Sequence, residues 1–396
     1  MAHKRILIFS LAYSPFMGGA ELAVKEITDR TGNDFSFDMV TLRFDKKLPK
    51  IETIGNITVY RIGFSKTSPT FSDLRSFPLH LNKLFFQFTA AIKGSQLHRR
   101  NSYDAVWALM AHSSGVPVAL FHLLHPKIPY MLTLQEGDEI SHIKRMMLPF
   151  YPLFKRAFTQ ASVIQVISTY LGNWAYDMGF KGQVVVVHNG VDIKNFQFSI
   201  SNFQKSELRK KLGIYENDKI IITTSRLVPK NAIDDIIKSL KFLPAHIKFL
   251  ILGTGPDEHT LKELAKREGV ESRVFFVGYV PYKNIPAYLQ ISDAFIRPSL
   301  SEGMGSSFVE AMVAGIPIIG TAVGGIPDFL KDNETGFVCR VKDPEHVAQK
   351  ISYILDPQNR DHMEKVKKEA LRIALRNHDW DKNSEIMKQL FNQITI

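Results

Sequence analysis

Two glutamates in a Glu-x7-Glu pattern, Glu302 and Glu310, bracket the run SEGMGSSFVEAM, Ser301 to Met312. Gly303 and Gly305 place Glu302 on a loop. Ser306 or Ser307 can cap the helix that follows, with Glu310 in its first turns. A Gly-rich loop feeding a helix N-terminus offers outward N–H groups and the positive end of the helix dipole, an anion site. Carboxylates on either side of such a site suit a ligand that carries both phosphate and hydroxyls, as a nucleotide-sugar does.

Arg226 and Lys230 of SRLVPKN, after the strand-like IIITTS, could clamp a diphosphate, Arg through its planar fork and Lys as a point charge. A solvated basic turn is the plain alternative. Gly18 and Gly19 of MGGAEL let backbone approach a ligand closely, or simply make a tight turn. The motif is not GxGxxG, and no acidic residue ends the second strand as a dinucleotide site would require. Gly253 in LGTGP marks another strand–turn–helix junction, and Asp293 in SDAFIRPS is expected to bond locally. The thirteen histidines show no metal-ligand spacing, and Asp379-Trp380-Asp381 reads as a helix cap, so no metal and no cofactor are expected. No Gly-x-Ser-x-Gly elbow or Walker A loop occurs.

The elements that must hold these residues alternate between short apolar strands and amphipathic helices. Strands are expected at Arg5–Ser10, Phe37–Arg43, Ile57–Ile62, Tyr103–Leu109, Tyr130–Leu134, Val163–Ile167 and Val184–Val187. A second series follows at Ile220–Thr224, Lys248–Leu252, Val274–Val277, Ala294–Arg297, Pro317–Gly320 and Gly336–Cys339. Helices are expected near Ala20–Arg30, Leu79–His98 and Tyr151–Phe158. This rhythm predicts an α/β chain of two Rossmann-like, doubly wound parallel sheets. The domains are set at residues 1–192 and 193–376, with a polar hinge at Asp192–Ser206 and a C-terminal helix over 377–396. Most special residues follow strands in both halves, which points to a ligand cleft between two facing domains.

Length supports two cores, since 396 residues exceed one ordinary domain. The single cysteine, Cys339, excludes an internal disulfide and sits in the apolar run GFVC, as a packed thiol would. The N-terminal ILIFSLAY is stopped by Pro15, Gly18 and Gly19 and reads as a buried first strand, not a leader. No run is long enough to span a membrane. A cytoplasmic protein, soluble or peripheral on the membrane, is the expectation. The net charge of +11 is uneven: residues 1–190 hold 21 Lys+Arg against 13 Asp+Glu, a net of +8, leaving +3 for the rest. Solubility explains such a charge, as would an anionic membrane surface or a phosphorylated acceptor. The basic-aromatic stretches KRMMLPFYPLFKR, Lys144 to Arg156, and FPLHLNKLFFQF could lie on a membrane or face the core. No nucleic-acid partner is expected.

Taken in order, GGAE near Gly18, HNGVD at Asn189, SRLVPKN, LGTGP, VFFVGYV at Phe275, SDAFIRPS, SEGMGSSFVEAMVAGIPII and GGIPD at Gly324 resemble the retaining glycosyltransferases of family 4. The resemblance spans nearly the whole chain and is densest over residues 185–340. It implies the GT-B fold and transfer of a hexose-type sugar, without a metal, from a nucleotide-sugar to a glycan or lipid-linked acceptor. Arg226 and Lys230 would bind the donor diphosphate and neutralise it as it leaves. Glu310 would take the ribose hydroxyls and Glu302 the donor sugar. The amides of Gly303, Met304, Gly305 and Ser306 would hold sugar or phosphate oxygens, and Gly19, beside Gly18, would let its loop close over the diphosphate. HDWDKNSEIMKQLF resembles the family's terminal helix, which packs back on the first domain.

The chain departs from the family after the strand YMLTL. Where a His, often followed by Asp, is usual, it has Gln135, Glu136, Gly137 and Asp138. A Gln cannot act as a base, so Glu136 or Asp138 takes part in acceptor handling or Gln135 only hydrogen-bonds the sugar. His112 is a further acceptor-side candidate. Asn231 replaces the usual Gly after Lys230. Other GT-B sugar enzymes, a nucleotide-sugar 2-epimerase or a phosphorylase, are the nearest rivals. A non-catalytic polyanion- or membrane-binding protein of the same fold is the rival from another class.

Overall fold

A computed structural model describes residues 3–395 apart from Asn33, residues 70–72, 74 and 75, and Phe198. The chain forms two compact units: Met1–Asn189 with Trp380–Ile396, and Gly190–Asp379.

The first unit is built on an eight-stranded sheet in the order β3-β4-β2-β1-β5-β6-β7-β8. The strands are β1 (Lys4–Phe9), β2 (Phe35–Leu42), β3 (Ile51–Ile54), β4 (Ile57–Ile62), β5 (Ala105–Leu109), β6 (Tyr130–Leu134), β7 (Val163–Val166) and β8 (Val184–Val186). All neighbours pair in parallel except β3 and β4. Ile6, Leu7, Ile8 and Phe9 are all buried, the continuous apolar run of a strand covered on both faces. The edge strand β3 has no such run and no buried residue, which is why its sequence, IETI, gave no strand signal. The closing helix Trp380–Ile394 completes this core. Its Phe391 ring lies 5.5 Å from Phe35, 5.8 Å from Phe37 and 5.1 Å from Trp107, and Asp381 pairs with Arg30 at 2.6 Å.

The second unit is a six-stranded, all-parallel sheet, β11-β10-β9-β12-β13-β14. Its strands are β9 (Lys219–Thr224), β10 (Ile247–Leu252), β11 (Val274–Gly278), β12 (Ala294–Arg297), β13 (Ile318–Thr321) and β14 (Phe337–Cys339). Cys339 is buried in its core, and burial pushes the thiol up to about 12. The polar stretch expected as a hinge is largely helical, Ile193–Gln197 and Asn202–Lys211. The capping pair Ser201 and Gln204 starts the second of these helices.

Both sheets run outward from a central strand, then restart on its other side. The reversal falls between β1 and β5 in one unit and between β9 and β12 in the other. In open parallel sheets the crevice beyond the carboxyl ends of the strands at such a reversal is where ligands bind.

Candidate active site

In the second unit the reversal brings together the loops after β9 and β12. Arg226 is exposed and Lys230 half-buried on the turn after β9. Asn231 explains its own presence: buried, it donates from Nδ2 to the Arg226 carbonyl at 2.7 Å and closes the turn, and Ala232 follows with φ +49. The Lys230 carbonyl accepts from the Leu300 amide at 2.7 Å, which latches the cationic turn to the loop after β12. Gly253 lies behind this turn. A Cβ there would sit 2.0 Å from the Ser225 carbonyl oxygen, and one on Gly255 2.2 Å from that of Leu227. The Gly253 amide already donates to Gly278 at 2.8 Å. Gly253 thus lets the loop after β10 pack closely behind the Arg226 turn.

The Glu302 loop is organised by a residue that sequence reading missed. Arg297 ends β12 almost fully buried. It forms an ion pair with Glu302, donates from Nη1 to Ser307 Oγ at 2.8 Å, and lies 5.0 Å from the Phe308 ring centroid. Glu302 Oε1 also accepts from its neighbour Gly303 N at 3.2 Å. The Glu302 carboxylate is therefore engaged by both the Gly303 amide and Arg297. An arginine closing the apolar strand AFIR was the available signal, because a buried guanidinium demands a carboxylate partner.

The helix after the loop runs Ser306–Val313, and its cap is Gly305, not Ser306 or Ser307. The backbone at 305 has φ +91, and a Cβ there would meet the Phe308 ring at 2.8 Å, so only glycine fits. Ser307 instead serves Arg297, Ser306 opens the helix, and Met304 is buried beside it. Glu310 is buried in this helix, and its carboxyl has no hydrogen-bond partner among the described residues. Burial pushes its pKa up to about 7, against the opposing charge of Arg297. Behind the loop, Gly324 has φ +55, and a Cβ there would sit 1.8 Å from the Glu302 carbonyl oxygen. The Gly325 amide donates to that oxygen at 3.1 Å.

In the first unit Gly18 caps the helix Gly19–Thr31, and its amide donates to Glu21 Oε2 at 2.7 Å. A Cβ on Gly19 would meet nothing within 4 Å, so its surroundings are open to an approaching group. His112 lies in the first turn of the helix Ala111–Leu124, after β5. Gln135 and Glu136 follow β6. The Glu136 side chain is wholly buried, with Oε1 at 3.4 Å from both the amide and Nδ1 of His112 and Oε2 accepting from Gln135 N at 3.0 Å. Asn189 Nδ2 donates to Gln135 Oε1 at 3.2 Å. The structure thus gathers His112, Gln135 and Glu136 into one cluster, while Asp138 is exposed further along the loop. Glu136 turns inward to orient the imidazole. Asp293, as expected, bonds locally, to Lys219 Nζ at 3.0 Å and Ile220 N at 2.8 Å.

Residues 204–372 match the family model described as "Glycosyl transferases group 1". The N-acetyl-alpha-D-glucosaminyl L-malate synthase of Bacillus anthracis is 29% identical over 208 residues, 51% of this chain and 52% of that one. The chain thus spans about half the length of this relative. An uncharacterized glycosyltransferase of Methanocaldococcus jannaschii is 24% identical over 99% of this chain and 98% of its own. Among solved structures, HepE of Anabaena in complex with UDP and glucose superimposes with a TM-score of 0.77 at 22% identity, covering 99% of this chain and 100% of that one. With its two doubly wound units and these similarities the chain has the GT-B fold, and its residues 204–372 resemble the group 1 glycosyltransferases.

Proposed function

We propose that this chain transfers a hexose from a nucleoside-diphosphate sugar to the hydroxyl of a glycan or lipid-linked acceptor, with retention at the anomeric carbon. The observation that carries the reading is the latched pair of loops at the β9/β12 reversal, with Arg226 and Lys230 on one and the Glu302–Glu310 segment on the other. Arg226 and Lys230 neutralise the diphosphate as its bond to the anomeric carbon breaks. The acceptor oxygen bonds to that carbon, and its proton passes to the departing diphosphate, so no protein nucleophile is needed. Glu310 accepts from the ribose hydroxyls. Arg297 holds Glu302 and the loop amides ready for the donor sugar. In the first unit, His112 with Nδ1 toward Glu136 keeps Nε2 to receive an acceptor hydroxyl. Charge neutralisation falls to Arg226 and Lys230 and not to a metal. HepE, solved with UDP and glucose, supports a nucleotide-sugar ligand for this fold.

A thermal-shift screen over UDP-, GDP- and ADP-sugars tests the donor assignment. One of them should stabilise the protein, and Arg226→Ala with Lys230→Ala should abolish both this shift and turnover. No shift with any of them would sink the reading. NMR of the product's anomeric proton tests retention, and turnover that survives EDTA tests metal independence.

A further inference from the structure

The helix Asn82–Asn101 carries apolar side chains on both of its faces. Its inward face buries Phe86 and Leu97 together with the small or polar Gln87, Ala90, Ala91, Gly94 and Ser95. A Cβ on Gly94 would lie 2.6 Å from the Phe9 ring, so the helix packs closely on the sheet at that position. Its outward face carries Leu84, Phe85, Phe88 and Ile92, all exposed. An amphipathic helix of a self-contained domain keeps its outer face polar.

This face continues beyond the helix. The Phe88 ring lies 5.6 Å from that of Phe150, in the turn that also exposes Leu148 at 63%. Phe77, just before the helix, is exposed at 79%. A contiguous apolar surface of this kind marks an interaction site. Its charge is one-sided. Residues 76–103 contain no Asp or Glu, but hold Lys83, Lys93, Arg99 and Arg100. Residues 140–176 likewise contain none, but hold Lys144, Arg145, Lys155 and Arg156. A second copy of this face would set cations against cations, whereas an anionic lipid surface complements both its charge and its apolar side chains.

We propose that the face formed by the helix Asn82–Asn101 and the Met146–Tyr151 turn docks on an anionic phospholipid membrane, with the aromatic side chains at the acyl boundary and the lysines and arginines at the headgroups. The inference is independent of the donor assignment above. Co-sedimentation of the full chain with vesicles of phosphatidylcholine plus phosphatidylglycerol, against pure phosphatidylcholine, tests it. The chain should pellet with the anionic vesicles, and high salt should weaken this. Leu84→Asp with Ile92→Asp should lower partitioning on the order of tenfold, as should Lys83→Glu with Arg145→Glu, with melting curves unchanged. Using two unrelated pairs keeps the test sound if one of them misfolds. Failure of the wild type to pellet overturns the proposal, as does pelleting of both variants like wild type. So does a wild-type dimer that Leu84→Asp with Ile92→Asp makes monomeric, since a second copy would then cover the face. Nucleotide-sugar stabilisation, measured without vesicles, should persist in both variants and so reports separately on the donor site.

Discussion

Glu310 combines burial, a carboxyl without a hydrogen-bond partner among the described residues and a pKa pushed up to about 7, and under the proposed reading these make its proton a reporter of donor binding. Ribose hydroxyls donate to a carboxylate, so the donor favours the ionised form and drives the proton off. Donor affinity should therefore rise with pH up to about 7 and level off above it, by at most about tenfold per pH unit. Glu310→Gln should bind more weakly and show no such slope. Calorimetric titration in buffers of different protonation enthalpy reads both effects, and a flat wild-type profile would remove Glu310 from the ribose. The unliganded protein responds in the opposite sense. The folded carboxyl titrates above the unfolded value of 4.5, so its stabilising contribution is full below that value and is lost as pH rises through about 7. At His112 the expectation is kinetic. Glu136→Gln removes the charge that orients the imidazole and should lower kcat by about ten- to a hundredfold while leaving donor affinity unchanged. Equal losses of kcat and donor affinity would refute an acceptor-side role.

Among the elements, the loops at the β9/β12 reversal hold one another in place. The sequence showed which residue types stand there, because Arg226, Lys230 and Glu302 lie just past apolar strands. It did not show the links between them. The bond from Leu300 to Lys230 and the contact of Gly324 with Glu302 join segments far apart in the chain, and no local period encodes them. Arg297 was hidden for a related reason, since it looks like the end of a strand until Glu302 is folded against it. The strands themselves were legible, since buried parallel strands are continuous apolar runs, with the solvent-facing β3 the exception. The Gly324 contact can be tested directly. Gly324→Ala puts a methyl where the Glu302 carbonyl stands, at a positive φ. It should weaken donor binding by about tenfold or more with no contact to the ligand, while Gly19→Ala, in open space, should keep the fold. Wild-type donor affinity in Gly324→Ala would show that the loop position does not matter.

For the whole molecule, two units with separate cores predict two unfolding steps. Phe391→Ala deletes a ring packed against Phe35, Phe37 and Trp107, and should lower the step of the first unit by about 3–5 kcal/mol. The donor should raise only the step of the second unit. Urea titration followed by circular dichroism reads both steps, and tryptophan fluorescence reads the first unit alone, since Trp107, Trp174 and Trp380 all lie there. A single transition shifted equally by mutation and donor would show that the cores do not unfold independently. Among the described residues no helix is long and apolar enough to cross a membrane.

The second unit starts and finishes side by side, with the Val191 amide donating to the His378 carbonyl at 2.9 Å. The helix that seals the first unit is therefore translated only after the second unit is complete. During synthesis, Phe35, Phe37 and Trp107 wait for Phe391 while the whole second unit is being made. The half translated first is thus the last to mature.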